Sequence, residues 1–240
     1  GGTAIQLTNS PGEESYPRFS PDGSEVAYTA SYNGNEDIFV VPATGGRPTR
    51  VTYQSHADRM VEWHPDGEHI LFASSRASGI QRVRKFFLVD KEGGLPEPLK
   101  VPYGELASFS PDGSQLAYVT RLAEDRPFKR YRGGYSSDIN LYDLQKDTAV
   151  NITDRNAIDA KPAWIGNKIF FISDQGANMR LNIYAYDIRE GSTTQITEFE
   201  DFDISYLGAS SNDLVFEAGG ELFQMNIENM DVQAVPVSVV

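Results

Sequence analysis

Three near-identical tetrapeptides constrain this chain more than anything else in it: Ser20-Pro21-Asp22-Gly23, His64-Pro65-Asp66-Gly67 and Ser110-Pro111-Asp112-Gly113. Each follows an aromatic residue (Phe19, Trp63, Phe109) and precedes a short apolar run: Val26-Ala27-Tyr28, Ile70-Leu71-Phe72-Ala73 and Leu116-Ala117-Tyr118-Val119. Pro presets φ at the second turn position, Asp tolerates the bridge region and Gly takes the left-handed corner. Each tetrapeptide is therefore a tight turn between two strands. Recurrence at such a period identifies a repeat architecture.

The repeat continues past the turn. Val26–Ala30 leads through a polar loop to Asp37–Val41, then a Gly45-Gly46 turn and Pro48–Thr52. The second unit has Lys85–Val89, Gly93-Gly94 and Glu97–Leu99, and the third has Asp138–Tyr142 and Val150–Thr153. Two weaker units follow, with Gly166-Asn167 and Asn212-Asp213 as their first turns. Four short strands per unit is the signature of a propeller blade. The anchors Phe19, Trp63, Phe109, Trp164 and Leu207 are 44, 46, 55 and 43 residues apart, and the long interval holds an insertion.

The opening Gly1–Thr8 resembles Gly45–Thr52, the last turn and fourth strand of a blade. Val232–Val235 already fills that role in the last unit. The expectation is an all-β, six-bladed β-propeller of four-stranded antiparallel blades, present as five blades plus one orphan strand. The blades cover 16–52, 60–100, 106–153, 160–197 and 205–236, in a single domain over 1–240. Residues 1–8 form the last strand of a truncated blade, and about 30–40 residues of that repeat lie upstream. The chain is thus expected to be a fragment of a longer protein.

Composition bounds the partners. A net charge of −13 argues against nucleic acid, whose phosphates need a clustered basic surface. No run of 18 apolar residues occurs, so no spanning helix and no membrane partner are expected. The absence of Cys excludes disulfides and thiolate chemistry and fits any compartment, with the periplasm or cytoplasm of a prokaryote as the expected settings. The first and third turns of each blade belong on one face, the second loops and inter-blade connections on the other. That second face carries the irregular segments, where function tends to sit. Its second loops hold Arg76, Arg82, Arg84, Arg121, Arg126, Lys129, Arg130, Arg132 and Arg180; its connections hold Asp58, Glu105, Asp159, Glu200 and Asp203 among other acids. This charge pattern is either a steering field for a charged peptide or a set of solvated ion pairs.

The insertion Glu124–Tyr135 packs four cations, three aromatics and a Gly-Gly pair into twelve residues. Arg and Tyr make good docking surface. Arg126, Lys129, Arg130, Tyr131 and Arg132 are its candidate contacts. It could instead be a long hairpin packed on its own blade. No catalytic constellation emerges. His64 occupies a turn slot, His69 begins a strand, and His56 lies in a connection beside Asp58 and Arg59. There is no elbow-type serine and no phosphate-cradling Gly loop. Three scattered histidines suggest no metal site, and Glu200-Asp201-Phe202-Asp203 lacks the spacing of a calcium loop. Neither catalytic residue, metal nor cofactor is assigned.

Ser-Pro-Asp-Gly, an Ala-Tyr-type strand, Asp-Ile-Phe-Val and Gly-Gly-x-x-x-x-Val-Thr together resemble the repeat shared by TolB-type, prolyl-oligopeptidase-type and tricorn-like propellers. Lys129-Arg130-Tyr131-Arg132-Gly133-Gly134, followed by Asp138–Tyr142 and Ala163–Asp174, is similar to the six-bladed N-terminal propeller of tricorn-like serine peptidases. The resemblance covers essentially the whole chain. It implies a non-catalytic channel or gate for peptides, with the serine and its partners in a C-terminal half absent here. The implied partners are peptides or unfolded protein segments and the other domains of the parent chain; a homo-oligomer stays open. In that family, paired arginines between early blades help hold a peptide's C-terminus. The corresponding connection here reads His56-Ala57-Asp58-Arg59-Met60, with one Arg and a neighbouring Asp, so the pair is not intact and Arg59 is the one candidate left there for the contact. Two other classes remain. A TolB-like propeller would bind protein partners without a catalytic domain, and a polysaccharide-lyase-like propeller would need more pore-facing His and Arg.

Overall fold

The computed structural model describes residues 2–79, 83–122, 131–134 and 136–239. Among them are five four-stranded antiparallel sheets, each a simple meander in which consecutive strands are neighbours. After β1 (Gly2–Thr3), the first blade comprises β2 (Glu14–Phe19), β3 (Glu25–Ala30), β4 (Asp37–Pro42) and β5 (Thr49–Arg50). The second comprises β6 (Asp58–Trp63), β7 (His69–Ser74), β8 (Lys85–Asp90) and β9 (Glu97–Pro98). The third holds β10 (Leu106–Phe109), β11 (Gln115–Val119), β12 (Asn140–Asp143) and β13 (Thr148–Asn151). The fourth holds β14 (Asp159–Ile165), β15 (Lys168–Ser173), β16 (Asn182–Asp187) and β17 (Ser192–Gln195). The fifth holds β18 (Ile204–Ala209), β19 (Asp213–Ala218), β20 (Glu221–Asn226) and β21 (Val232–Ala234), and β22 (Val237–Ser238) follows. The fold is an all-β propeller of four-stranded antiparallel blades.

The turn chemistry matches its spelling. Gly23, Gly67 and Gly113 all sit at φ between 71 and 73°, in the left-handed region that favours glycine. The third turns of the last three blades use a different device. Asp143, Asp187 and Asn226 accept the backbone N–H groups two residues ahead, at 2.8–3.1 Å. Each turn then closes on a left-handed residue, Asp147, Gly191 or Met230. The Val-Thr or Ile-Thr pair after a fourth strand also has a structural cause. Val51, Ile152 and Ile196 donate to the carbonyls of Ile38, Ile139 and Ile183. The buried Thr52, Thr153 and Thr197 hydroxyls accept the N–H of the same three isoleucines at 2.8–3.0 Å. A short, exposed outer strand is thereby tied to its neighbour where the ladder ends.

The opening strand differs from expectation. Within residues 1–8 it occupies Gly2–Thr3 alone, and it pairs in parallel with β22 in a separate two-stranded sheet. The Ala4 amide donates to the Ser238 carbonyl at 2.8 Å. Residues 5–8 form no strand; Ile5 is exposed, while Leu7 packs on the apolar cluster of the first blade.

Two compact units are distinguished, Ile5–Glu105 and Gly1–Ala4 with Leu106–Val240. In the first, Ala27, Ile38, Val40, Met60, Trp63, Phe72 and Phe87 form one apolar cluster between blades. The Trp63 indole N–H donates to the Arg18 carbonyl at 3.0 Å, and Arg18 Nε returns a bond to Val61 O at 3.2 Å. In the second, Phe170, Ile172, Ile183, Ile204, Leu214, Phe216 and Met225 pack together. Ser108 Oγ accepts the Trp164 amide at 3.0 Å there.

Candidate functional site

The second blade gathers the charge. β6 opens on Asp58-Arg59, and a register shift between Met60 and Glu62 interrupts its pairing with β7. Arg59 is buried; its Nη1 donates to Glu105 Oε2 at 2.9 Å, and its guanidinium lies 4.8 Å from the Tyr16 ring centroid. Tyr16 sits at φ 53°, in the irregular stretch of β2 between Ser15 and Arg18. A bulge of this kind re-aims a side chain out of the pleat, here to a ring against Arg59. Arg84 Nη1 donates to the same Glu105 Oε2, also at 2.9 Å. One carboxylate thus serves two guanidinium groups, leaving a local excess of one positive charge in a chain of net −13.

Arg84 also lines a hollow of about 480 Å³ with His56, Ser75, Ser78 and Gly79. This lining offers guanidinium N–H, the Ser75 hydroxyl and an imidazole as donors, while the Ser78 hydroxyl donates to the Ser75 carbonyl at 2.8 Å. Among the described residues, no carboxylate lines it. Such a surface suits an anionic group, and a planar guanidinium recognises a carboxylate directionally. It does not supply the acid of a Ser-His-acid relay.

Gly104 sets the distance between connection and blade. Its N–H donates to the Arg84 carbonyl at 3.0 Å. A Cβ at this position would stand 2.1 Å from Phe86 Cε2, on a fully buried ring. Overpacking of this kind costs about 1–3 kcal/mol. Gly104→Ala is therefore expected to lower stability by that amount in urea unfolding and to loosen the Arg84–Glu105 pair. A variant as stable as the parent would show that the connection shifts freely.

Among the described residues, three loop arginines besides Arg84 are engaged with acids of the connections or of a neighbouring loop. Arg76 pairs with Asp58, Arg132 with Asp174 at 2.9 Å, and Arg180 with Asp203 at 3.8 Å while its Nε donates to Glu200 O. Of the insertion, Arg126, Lys129 and Arg130 lie outside the described residues, as do Arg82 and Tyr135. Tyr131 O accepts the Ser136 hydroxyl at 3.0 Å. The Tyr131 hydroxyl lies 2.7 Å from where a Gly133 Cβ would be, so the glycine makes room for its neighbour's ring. Arg132 fastens this segment to buried Asp174, whose other oxygen accepts the Ile158 amide.

Of the sequence candidates among the described residues, Arg59 is the one joined to the hollow's charge cluster, through Glu105. Arg84, Glu105 and Tyr16 complete that cluster without having been singled out. Arg84 and Glu105 were visible as loop charges, but no local spacing joins them to Arg59. The histidines also depart from expectation. His64 and His69 are not scattered: both rings turn toward Asp66.

Comparison with known proteins gives one consistent result. The family model for the tricorn protease N-terminal beta propeller domain matches residues 1–231. Tricorn protease homolog 1 of Streptomyces coelicolor is 25% identical over 232 residues, which cover 94% of this chain and 21% of that protein. The tricorn protease homolog of Saccharolobus solfataricus is 24% identical, over 91% of this chain and 20% of its own. The chain thus spans about a fifth of the length of these curated relatives. Among solved structures, the tricorn protease superposes with a TM-score of 0.81 at 21% identity, over 96% of this chain and 23% of that one. A putative TolB from Agrobacterium tumefaciens gives 0.75 at 16% identity, over 95% and 82%.

Proposed function

Because the chain belongs to the tricorn protease N-terminal β-propeller family, we propose that it is the non-catalytic propeller domain of a tricorn-like serine peptidase. In this reading it guides peptides to or from an active site carried elsewhere in the parent protein. The observation that carries it is the Arg59–Glu105–Arg84 cluster beside the donor-lined hollow. A peptide's C-terminal carboxylate is the group such a surface takes. Arg84, from the loop before β8, stands in for the second arginine that the connection itself lacks. The finer architecture in this reading is six-bladed. A parallel β1–β22 pair fits none of the antiparallel four-stranded blades and stands apart from all five.

The test compares unstructured fluorescent peptides with free and amidated C-termini, titrated into the protein and read by anisotropy. A charge-assisted contact contributes about 1.5–3 kcal/mol, so amidation should weaken binding about ten-fold or more. Arg84→Ala should erase the difference, and Arg84→Lys should restore it poorly because a point charge cannot fork onto two oxygens. Equal binding of the two peptides to the parent protein would remove the carboxylate reading. It would favour the runner-up, a TolB-like protein-binding propeller with no enzymatic domain.

A further inference from the structure

The first turn of the second blade departs from its sister turns at three positions, His64, Glu68 and His69. In the first and third blades, Ser20 and Ser110 donate their hydroxyls to Asp22 and Asp112 at 2.6 Å. The amides and hydroxyls of Ser24 and Ser114 complete those carboxylates. In the second blade, His64 replaces the serine, and His69 stands where the sisters carry Glu25 and Gln115. Asp66 Oδ1 keeps its structural role, accepting the Glu68 and His69 amides at 2.8 and 3.1 Å. Oδ2 faces two imidazoles, with His64 Nδ1 at 2.9 Å and His69 Nδ1 at 2.8 Å.

Two ring nitrogens therefore converge on one carboxylate oxygen, with all three ligand atoms within 4.8 Å of one another. The imidazoles stand nearly perpendicular, at 85°. His64 Nδ1 also lies 3.3 Å from the Asp66 amide, which uses it as an acceptor. An imidazole nitrogen has one lone pair, so a metal bound at Nδ1 takes the place of that 3.3 Å amide contact. Two imidazoles and one carboxylate are the donor set of Zn²⁺ and its borderline neighbours rather than of Mg²⁺ or Ca²⁺. Metal–ligand distances of about 2.0–2.2 Å at tetrahedral angles separate ligand atoms by roughly 3.3 Å. The two N···O separations, 2.9 and 2.8 Å, need to widen by only about half an ångström. Asp66 Oδ1, held by two backbone amides, fixes the carboxylate as an outer-shell bond would. Asp90 and Glu97 line the adjoining hollow of about 390 Å³ and add negative potential there.

We propose that His64, Asp66 and His69 form a three-ligand site for a borderline divalent transition metal, Zn²⁺ foremost, with the remaining coordination position open to solvent. Bound metal would clamp the β6–β7 hairpin at its turn. The site is separate from the Arg84 hollow and does not depend on the peptide reading.

The chain suits a clean test, since it has three histidines and no cysteine. Calorimetric titration of the protein with ZnCl₂, and Co²⁺ titration followed by visible absorption, should show one-to-one binding. His64→Ser restores the turn spelling of the first and third blades, and His69→Gln copies the residue of the third, so both variants suit the turn. Each should weaken Zn²⁺ binding about ten-fold or more. His56→Ala should leave it unchanged. No uptake of either metal by the parent protein, or binding that survives in the His64→Ser/His69→Gln double variant, would overturn the proposal.

Discussion

Arg76→Ala is expected to destabilise the protein by about 3–5 kcal/mol, because it abandons a buried carboxylate. Asp58 is fully buried at the head of β6, and its Oδ1 has no hydrogen-bonding partner. Its Oδ2 pairs with the Arg76 guanidinium, which also lies over the Phe72 and Phe87 rings at 4.9 and 5.3 Å. The arginine thus neutralises the acid and covers aromatic surface. Removing it leaves a desolvated charge and a gap on two rings. At about 2–4 °C per kcal/mol for a chain of this size, the melting temperature should fall by roughly 6–20 °C. The double variant Arg76→Met/Asp58→Asn should recover most of the loss, since no buried charge then remains. A loss under about 1 kcal/mol in Arg76→Ala would mean that water reaches Asp58 and that the pair is only a surface contact.

Asp159 should make stability fall as pH rises. It lies fully buried at the start of β14, and burial pushes its carboxyl up to about 6 from an ordinary 3.8. The Ser173 and Thr153 hydroxyls nearby pull the other way, but neither gives the carboxylate a well-aligned hydrogen bond; the Asp138 charge adds to the rise. The folded state therefore holds its proton where the unfolded chain has released it. That stabilisation is complete below about pH 4 and is lost as pH climbs through about 6. Two pKa units correspond to about 3 kcal/mol. Asp159→Asn cannot ionise. In urea unfolding it should gain on the parent by about that amount between pH 4 and pH 7, then hold a constant lead. Taking the difference cancels the oppositely shifted turn carboxylates Asp22, Asp66 and Asp112, each drawn down to about 2. A pH-independent difference would place Asp159 in contact with solvent or a cation.

The sequence by itself determined the blades. Pro-Asp-Gly turns, period-2 apolar runs and Gly-Gly punctuation act within a few residues of themselves, so their geometry follows from local φ/ψ preference and needs no tertiary partner. Ends of blade strands moved by up to two residues because the final ladder bonds depend on the neighbour. Thr52 illustrates this: its hydroxyl, not a strand bond, holds Ile38. The tertiary structure alone decided what the charges do. Arg59 and Arg84 meet on Glu105 from 46 and 21 residues away, and Arg132 reaches Asp174 across two blades. In the sequence these were equivalent loop charges. The parallel pairing of Gly2 with Val237 was illegible for the same reason, since two-residue strands carry almost no pattern. The β-bulge at Tyr16 and the missing side chain of Gly104 help set where the rings and guanidinium groups come to rest. Local preference chooses the strands, whereas desolvation and charge pairing choose among the contacts that become available once those strands are packed.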